Sequence, residues 1–225
     1  CENLVSITIP DGVVTGVGDY AFQGCKNLST VSIGNSVEYI GDYAFYNCYS
    51  LSTLTIGDNV KNIGNNAFEY CYNLQTVAIP NSVVKIGESV FSSCSNLTSV
   101  IIGDSLIGIS NNAFESCHKL TSAILGSALT YIGDYAFNCC DSLNEIVITN
   151  SVTEIGKSAF GGCDNLSSVD FGDSLMYIGK DAFYGCKNLK HVILPKSLKV
   201  IHEMAFFDTG IEKIEIPDSV EKLGV

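Results

Sequence analysis

The chain has 225 residues, 46% of them hydrophobic, and a formal net charge of −12 from twelve lysines, no arginine and an excess of acidic residues. The hydrophobic content excludes a disordered chain, and no apolar run approaches the roughly 20 residues that a membrane-spanning helix needs. Because the lysines are scattered rather than clustered, the sequence predicts neither nucleic-acid binding nor polybasic attachment to a membrane.

One phrase returns along the whole chain at a fixed spacing of 23 residues. Its phenylalanines are Phe22, Phe45, Phe68, Phe91, Phe114, Phe137, Phe160, Phe183 and Phe206. Such repetition is typical of a solenoid, in which each repeat packs only on its neighbours. We therefore expect residues 1–225 to form a single elongated solenoid of about nine coils rather than two compact domains.

The first partial coil covers residues 4–25. Full coils begin at Leu28, Leu51, Leu74, Leu97, Leu120, Leu143, Leu166 and Leu189. A shortened junction, Thr209-Gly210-Ile211, precedes the last partial coil, and Gly210 permits the tighter turn. Because the chain starts at Cys1 without a methionine and both ends fall inside a repeat, we expect a piece of a longer protein.

The hydrophobic period changes within each coil and predicts its elements. Residues 30–33 alternate, with Val31 and Ile33 directed inward, as in a half-buried strand. The Gly-Asn-Ser sequence at 34–36 is typical of a turn.

A second short extended segment follows, from which Val37 and Ile40 return to the core. Ala44 and Phe45 follow Ile40 at the spacing of one helical face. We therefore expect a short helix or 3₁₀ turn at residues 42–47 and at the equivalent place in every coil.

A single coil is too small to fold alone, because ordering its residues costs more free energy than burying its few apolar side chains supplies. Stacking covers both open faces of a coil and lets strands hydrogen-bond about 4.8 Å apart. About nine stacked coils then give a rod or arc roughly 45 Å long. Residues at the same strand position in successive coils form a row along it.

Eight of the ten cysteines also form a row. They are Cys25, Cys48, Cys71, Cys94, Cys117, Cys140, Cys163 and Cys186. In stacked coils their Cα–Cβ vectors run parallel, whereas a disulfide needs them to converge. We interpret them as buried free thiols that pack as small hydrophobic groups. Cys139 lies outside this row and is expected to be partly exposed.

The outward strand positions form two rows, which are the candidate binding face. The first row is Thr30, Thr53, Thr76, Ser99, Ser122, Glu145, Ser168, His191 and Lys213. The second row is Ser32, Thr55, Ala78, Ile101, Ile124, Val147, Asp170, Ile193 and Glu215. The middle coils thus expose an apolar stripe, which a soluble protein seldom keeps without a partner. The alternative is that β-branched residues simply suit a strand.

Tyrosines offer a second candidate surface. They are Tyr39, Tyr43, Tyr46, Tyr49, Tyr70 and Tyr72 in the early coils and Tyr131, Tyr135, Tyr177 and Tyr184 later. Tyrosine suits interfaces because a rigid apolar ring carries a polar tip. We favour the alternative that these rings shield coil edges on the convex side.

Three asparagines, Asn27, Asn96 and Asn165, stand in glycosylation sequons. Glycans there require secretion from a eukaryotic cell. We favour turn geometry as the explanation, because Asn73 and Asn188 recur at the same repeat position without a sequon.

The sequence predicts no catalytic site, no metal and no cofactor. His118, His191 and His202 occupy different repeat positions, and no Cys or His pairs have the spacing of metal ligands. Cys117 and His118 are adjacent, so their side chains are expected to point apart. The glycines stand at repeat corners and form no phosphate-binding loop.

The phrase LxxVxIPxSVxxIGxxAFxxCxxL resembles the BspA-type leucine-rich repeat from Leu4 to Leu223. Ile-Gly recurs in most coils, although Ser110 and His202 replace the glycine; Ala-Phe recurs in nearly all, with Val90-Phe91 the exception. The resemblance implies a right-handed, curved solenoid with a parallel sheet on one face and no catalytic residues. Proteins of this family are generally large and surface-exposed or secreted, and several are implicated in adhesion.

The sequence therefore supports two alternative hypotheses about function. The first is a cell-surface or secreted module that binds a host or matrix protein, or a glycan, through the sheet face. The second is a structural spacer, or a scaffold that self-associates end to end, because no polar cap is visible at Cys1 or Val225. The short ladder of Thr30, Thr53 and Thr76 leaves ice or mineral binding as a third alternative.

Overall fold

The computed structural model describes residues 1–224. Its eighteen short strands are all parallel and fall into two sets, because most coils contribute one strand to each set. Equivalent residues of successive coils lie side by side, as Ser99 does beside Ser122. The predicted solenoid of 23-residue coils with a parallel sheet is confirmed.

The first set, called here the front strands, starts every coil up to the one that begins at Leu166. It comprises β1 (Ser6–Ile9), β3 (Thr30–Ile33), β5 (Thr53–Thr55), β7 (Thr76–Ile79), β9 (Ser99–Ile102), β11 (Ser122–Ile124), β13 (Glu145–Val147) and β15 (Ser168–Asp170). In β3, Val31 and Ile33 are buried while Thr30 is exposed, which is the predicted alternation.

The second strands contain only two residues each. They are β2 (Gly16–Val17), β4 (Tyr39–Ile40), β6 (Asn62–Ile63), β8 (Lys85–Ile86), β10 (Gly108–Ile109), β12 (Tyr131–Ile132), β14 (Glu154–Ile155), β16 (Tyr177–Ile178), β17 (Val200–Ile201) and β18 (Lys222–Leu223). In β4, β6 and β8 the isoleucine is buried, and the residue before it in the same strand faces solvent.

The residues at 42–47 do not form a helix, so the predicted helical turn is wrong. Tyr43 and Asn47 have φ values of 55° and 61°, which a right-handed helix excludes. The N–H of Phe45 donates to the carbonyl oxygen of Ala67 in the next coil at 2.8 Å. The N–H groups of Tyr43 and Asn47 also donate to the next coil, and only that of Tyr46 stays within the turn, donating to Tyr43 at 3.1 Å. Most hydrogen bonds of this segment therefore join one coil to the next instead of closing a helix.

The apolar side chains of successive coils form one continuous core. Its spine is the predicted row of nine phenylalanines, whose neighbouring rings stack with centroids 5.2 to 5.6 Å apart. The seven rings from Phe45 to Phe183 are fully buried. The lined-up rings confirm that the coils stack in register.

The cysteine row consists of free, buried thiols, as predicted. Each thiol from Cys48 onward donates to the carbonyl oxygen of a phenylalanine, as Cys117 does to Phe91 at 3.3 Å. Burial raises the pKa of Cys117 to about 12, so this thiol stays protonated at neutral pH. Cys139 is half-buried outside the row.

The front strands do not form one continuous sheet. They form three ladders, β1-β3-β5, β7-β9-β11 and β13-β15. Within each ladder, every strand that pairs with the preceding coil is followed, directly or after one residue, by a glycine: Gly34, Gly57, Gly103, Gly126 and Gly172. A Cβ atom on Gly57 would lie only 2.5 Å from the carbonyl oxygen of Gly34, closer than real side chains come.

The interruptions fall where this glycine is absent. Pro80, Thr149 and Pro195 occupy the position in the coils that follow the three ladders, and Pro217 occupies it in the last coil. Their Cβ atoms require more room, and proline also lacks the N–H that Gly34 donates to Ile9 at 2.8 Å. The missing glycine therefore accounts for each opening in the front sheet.

Replacement of a glycine also coincides with one interruption between the second strands. Within residues 1–224 they are interrupted only between β8 and β10, where Ser110 replaces the glycine and its hydroxyl donates to the carbonyl oxygen of Ile86 at 2.7 Å. His202 is an exception, because β16 and β17 still pair and its N–H reaches Ile178 at 3.0 Å.

Candidate binding face

The structure places the two predicted rows on the outer side of the front strands and, in the last two coils, at the equivalent positions, where no strand forms. In the first row, Thr30, Thr53, Thr76, Ser122, Glu145, Ser168, His191 and Lys213 are exposed and Ser99 is half-buried. In the second row, Thr55, Ala78, Ile101, Ile124, Val147, Asp170, Ile193 and Glu215 are exposed and Ser32 is half-buried. Binding by these residues remains a prediction.

Four neighbouring second-row residues form the apolar stripe: Ala78, Ile101, Ile124 and Val147. The first three are adjacent across the paired strands β7, β9 and β11. The side chains of Ile101, Ile124 and Val147 are 50%, 57% and 60% exposed. Strand alternation explains their direction, since Val100 and Ile102 on either side of Ile101 point into the core.

A cavity of about 300 Å³ lies in the opening between β11 and β13. Ile124 and Val147 of the apolar stripe stand on its two sides, and the buried Leu125 also lines it. Thr149, the residue that takes the place of glycine, lies in its wall. The other lining residues are Thr121, Ser122, Ala123 and Glu145. The opening is thus a recess within the stripe that aliphatic and polar residues line in equal number.

The front face carries only negative charge over seven coils, from residues 29–36 to the equivalent residues 167–174. The charged residues at these positions are Asp58, Asp104, Glu145, Asp170 and Asp173. Within the described chain none of them forms an ion pair. Asp104 accepts a hydrogen bond from the N–H of Ser127 at 2.9 Å, which lowers the pKa of Asp104. This face therefore attracts cations.

The last two coils differ in charge. A larger cavity of about 890 Å³ lies between residues 191–196 and 213–219, where prolines replace the glycine in both coils. Lys196 and Lys213 line it together with Glu215 and Asp218, so this part of the face carries both signs of charge. Ile193, which also lines it, is 88% exposed.

The early tyrosines pack on one another. Tyr20 and Tyr43 stack with ring centroids 5.0 Å apart, and Tyr46 meets Tyr43 and Tyr70 edge-on at 5.3 and 5.5 Å. Tyr43, Tyr46 and Tyr70 are half-buried, and burial raises the pKa of Tyr46. These contacts support the shielding role that we favour; binding by this surface remains a prediction.

His118 and its neighbour Cys117 do not form a catalytic pair. Nδ1 of His118 lies 2.9 Å from Oδ2 of Asp141 on the surface, whereas the adjacent Cys117 is buried in the core. The two neighbouring side chains therefore point apart, as predicted. Among residues 1–224, no group of three or more His, Cys, Asp and Glu side chains is placed to hold a metal ion. The described chain also forms no helix long and apolar enough to cross a membrane.

The three sequon asparagines contact the preceding coil. The side-chain amides of Asn27 and Asn165 donate to the carbonyl oxygens of Glu2 and Asp141 at 2.6 and 2.8 Å. The side-chain amide of Asn96 donates to Oδ1 of Asn73 at 3.4 Å, and its oxygen accepts a hydrogen bond from Nζ of Lys119 in the following coil at 2.8 Å. The asparagines thus have a structural role between coils, and their glycosylation remains a prediction.

Comparison with known proteins gives a family and several similar structures. The family model described as a BspA type leucine rich repeat region, in six copies, matches residues 1–121 and 107–225. The leucine-rich repeat protein of T. pallidum is 28% identical, with a TM-score of 0.59 over 78% of this chain and 73% of its own.

Two further structures are similar. A leucine-rich cell surface protein of Faecalibacterium prausnitzii A2-165 is 28% identical, with a TM-score of 0.49 over 96% of this chain and 74% of its own. The pneumococcal vaccine antigen PcpA is 20% identical, with a TM-score of 0.56 over 99% of this chain and 69% of its own. A comparison with curated proteins gives no match. The family model covers the chain from end to end, and the chain belongs to the BspA-type leucine-rich repeat family.

Proposed function

We propose that this chain is a non-catalytic recognition module that works at the cell surface or after secretion. It would bind a host or matrix protein, or a glycan, through the front face. The location is supported by the family, whose members are generally surface-exposed or secreted.

The observation that carries the proposal is the apolar stripe. Ile101, Ile124 and Val147 each keep half or more of their surface in water, and they are neighbours on the seven-coil part of the front face, which carries no lysine. Apolar groups that cluster on the surface mark interaction sites more often than isolated ones. Binding removes this surface from water, with a gain of roughly 25 cal/mol per Å² before the costs of association.

A double charge substitution tests the site. Ile101→Lys combined with Ile124→Lys should abolish capture of the protein by an immobilised matrix extract while the thermal unfolding transition stays cooperative. The matched control is Val84→Lys combined with Ile107→Lys, which also places two lysines on exposed apolar positions, 41% and 56% exposed, outside the front strands. It should bind like the parent.

Equal capture by the two double variants would contradict the proposal. If light scattering then showed a mass that grows with protein concentration, the alternative of an end-to-end stacking scaffold would be favoured, because such a scaffold does not use the front face.

A further inference from the structure

We propose that the opening between β11 and β13 is a socket for an apolar side chain of a basic segment in a partner protein. The proposal rests on the proposed function and deepens it: it names the part of the front face that makes the central contact and the chemistry of the partner.

The socket exists because of one residue. Gly126, one coil earlier, fits against the carbonyl oxygen of Gly103, and β11 pairs with β9 there. Thr149 occupies the same repeat position in the next coil, and β13 pairs only with β15. A Cβ atom has no room where Gly126 sits against Gly103, so β13 does not pair with β11 and a recess is left between them. The Thr149 hydroxyl instead donates to the carbonyl oxygen of Gly126 at 3.3 Å.

The recess suits an aliphatic side chain. Its two sides carry Ile124 and Val147, and Ala123 and Leu125 add further aliphatic surface. No aromatic ring lines it, so it lacks the flat platform on which sugars commonly stack. A leucine-sized group entering between Ile124 and Val147 would contact aliphatic side chains on both sides, as the central anchors of protein interfaces do. The hydroxyl and carboxylate groups of the same recess would remain for the polar part of the partner.

Charge identifies the rest of the partner. Glu145 lines the socket and is exposed, and Asp170 is exposed beside Val147 on the neighbouring strand. The seven-coil front face offers no lysine or histidine to either carboxylate. A lysine or arginine next to the inserted apolar residue would pair with Glu145, and long-range attraction would bring the basic segment to this face.

Three short peptides serve as probes: one that alternates lysine and leucine, one that alternates glutamate and leucine, and one that alternates lysine and serine. Fluorescence polarisation with the full chain should show the lysine–leucine peptide binding about tenfold more tightly than either of the others. The titration should shift the methyl signals of Ile124 and Val147 in NMR spectra.

Two variants locate the site. Thr149→Gly should let β13 pair with β11, close the recess and weaken binding of the lysine–leucine peptide about tenfold. Glu145→Gln should weaken it several-fold and flatten its dependence on salt. Pro80→Gly makes the same kind of change at the opening between β5 and β7 and should leave binding as in the parent.

Unchanged peptide binding by Thr149→Gly, or equal binding of the glutamate–leucine peptide, would overturn the socket. The matrix assay separates this failure from failure of the proposed function. Loss of matrix capture in the Ile101/Ile124 double variant but not in Thr149→Gly refutes the socket alone. Capture that survives proteolysis of the matrix extract but not its periodate oxidation identifies a glycan partner and also refutes the socket.

Discussion

The ring of Phe114 stacks on the ring of Phe137 with centroids 5.2 Å apart and planes 11° apart, and both side chains are fully buried. Phe91 stacks on the other face of Phe114 at 5.6 Å. Each ring from Phe45 to Phe183 is thus covered by the coils before and after it, and removing one such ring affects the contact between three coils.

Phe114→Ala should lower the free energy of unfolding by about 3–5 kcal/mol, because it removes buried surface and leaves a cavity that rigid neighbours cannot fill. Urea unfolding followed by circular dichroism measures the change. Tyr177→Ala, at an aromatic position that is 41% exposed, is the control and should cost about 1 kcal/mol or less. Equal losses in the two variants would place Phe114 outside the spine.

The buried thiols predict a loss of stability in alkali. Burial raises the pKa of Cys117 to about 12 from an ordinary value of 9.0, and it raises the pKa of Cys186 to about 12. The folded chain therefore holds protons that the unfolded chain releases. The stabilising effect is complete below pH 9.0 and is lost as the pH rises from 9.0 to about 12.

In this window each such thiol should reduce the free energy of unfolding by about 1.4 kcal/mol per pH unit. Urea unfolding of the parent and of Cys117→Ala at several pH values above 9.0 measures the slope. The variant has one titrating thiol fewer, so its stability should fall less steeply, while lysines and tyrosines titrate alike in both. Parallel slopes would show that Cys117 ionises freely in the folded chain.

The left-handed turn positions predict a stabilising substitution. Ser116 has φ 57°, a conformation that costs a residue with a Cβ atom about 1 kcal/mol relative to glycine. Ser116→Gly should therefore raise the free energy of unfolding by up to about 1 kcal/mol. Ser105 is also half-buried but is not among the residues with positive φ, so Ser105→Gly should lower stability by about 0.5–1 kcal/mol. Thermal unfolding compares the two; a loss in both would contradict the backbone account.

The repeat pattern alone was enough to predict the strands, the stacked phenylalanines and the free thiols, because each follows from placing equivalent residues side by side. It misplaced a helix at residues 42–47, since a chain of tight turns can bury Ala44 and Phe45 at the same spacing as a helical face. The signal that would have corrected this is the recurrence of glycine at the position of Asn47, as in Gly24 and Gly162, because glycine readily adopts positive φ.

Exposure of the candidate face was also predictable, because strand alternation decides which side chains point outward. The openings between the ladders of the front strands could not be predicted from the sequence. Gly126 and Thr149 both suit a turn, so composition treats them alike. Their difference emerges only from the distance between a Cβ atom and the carbonyl of the preceding coil, which depends on how closely the coils stack.

The central claim is that the coils stack in register and that a front strand pairs with the preceding coil only where a glycine follows it. Hydrogen exchange of the backbone amides in the front strands tests this claim most directly. Amides that bond between β9 and β11 should exchange slowly and those of β13 that face β11 quickly, whereas in Thr149→Gly the latter should become slow as well. Equal protection on both sides of β11 in the parent, or fast exchange that persists in Thr149→Gly, would contradict the account.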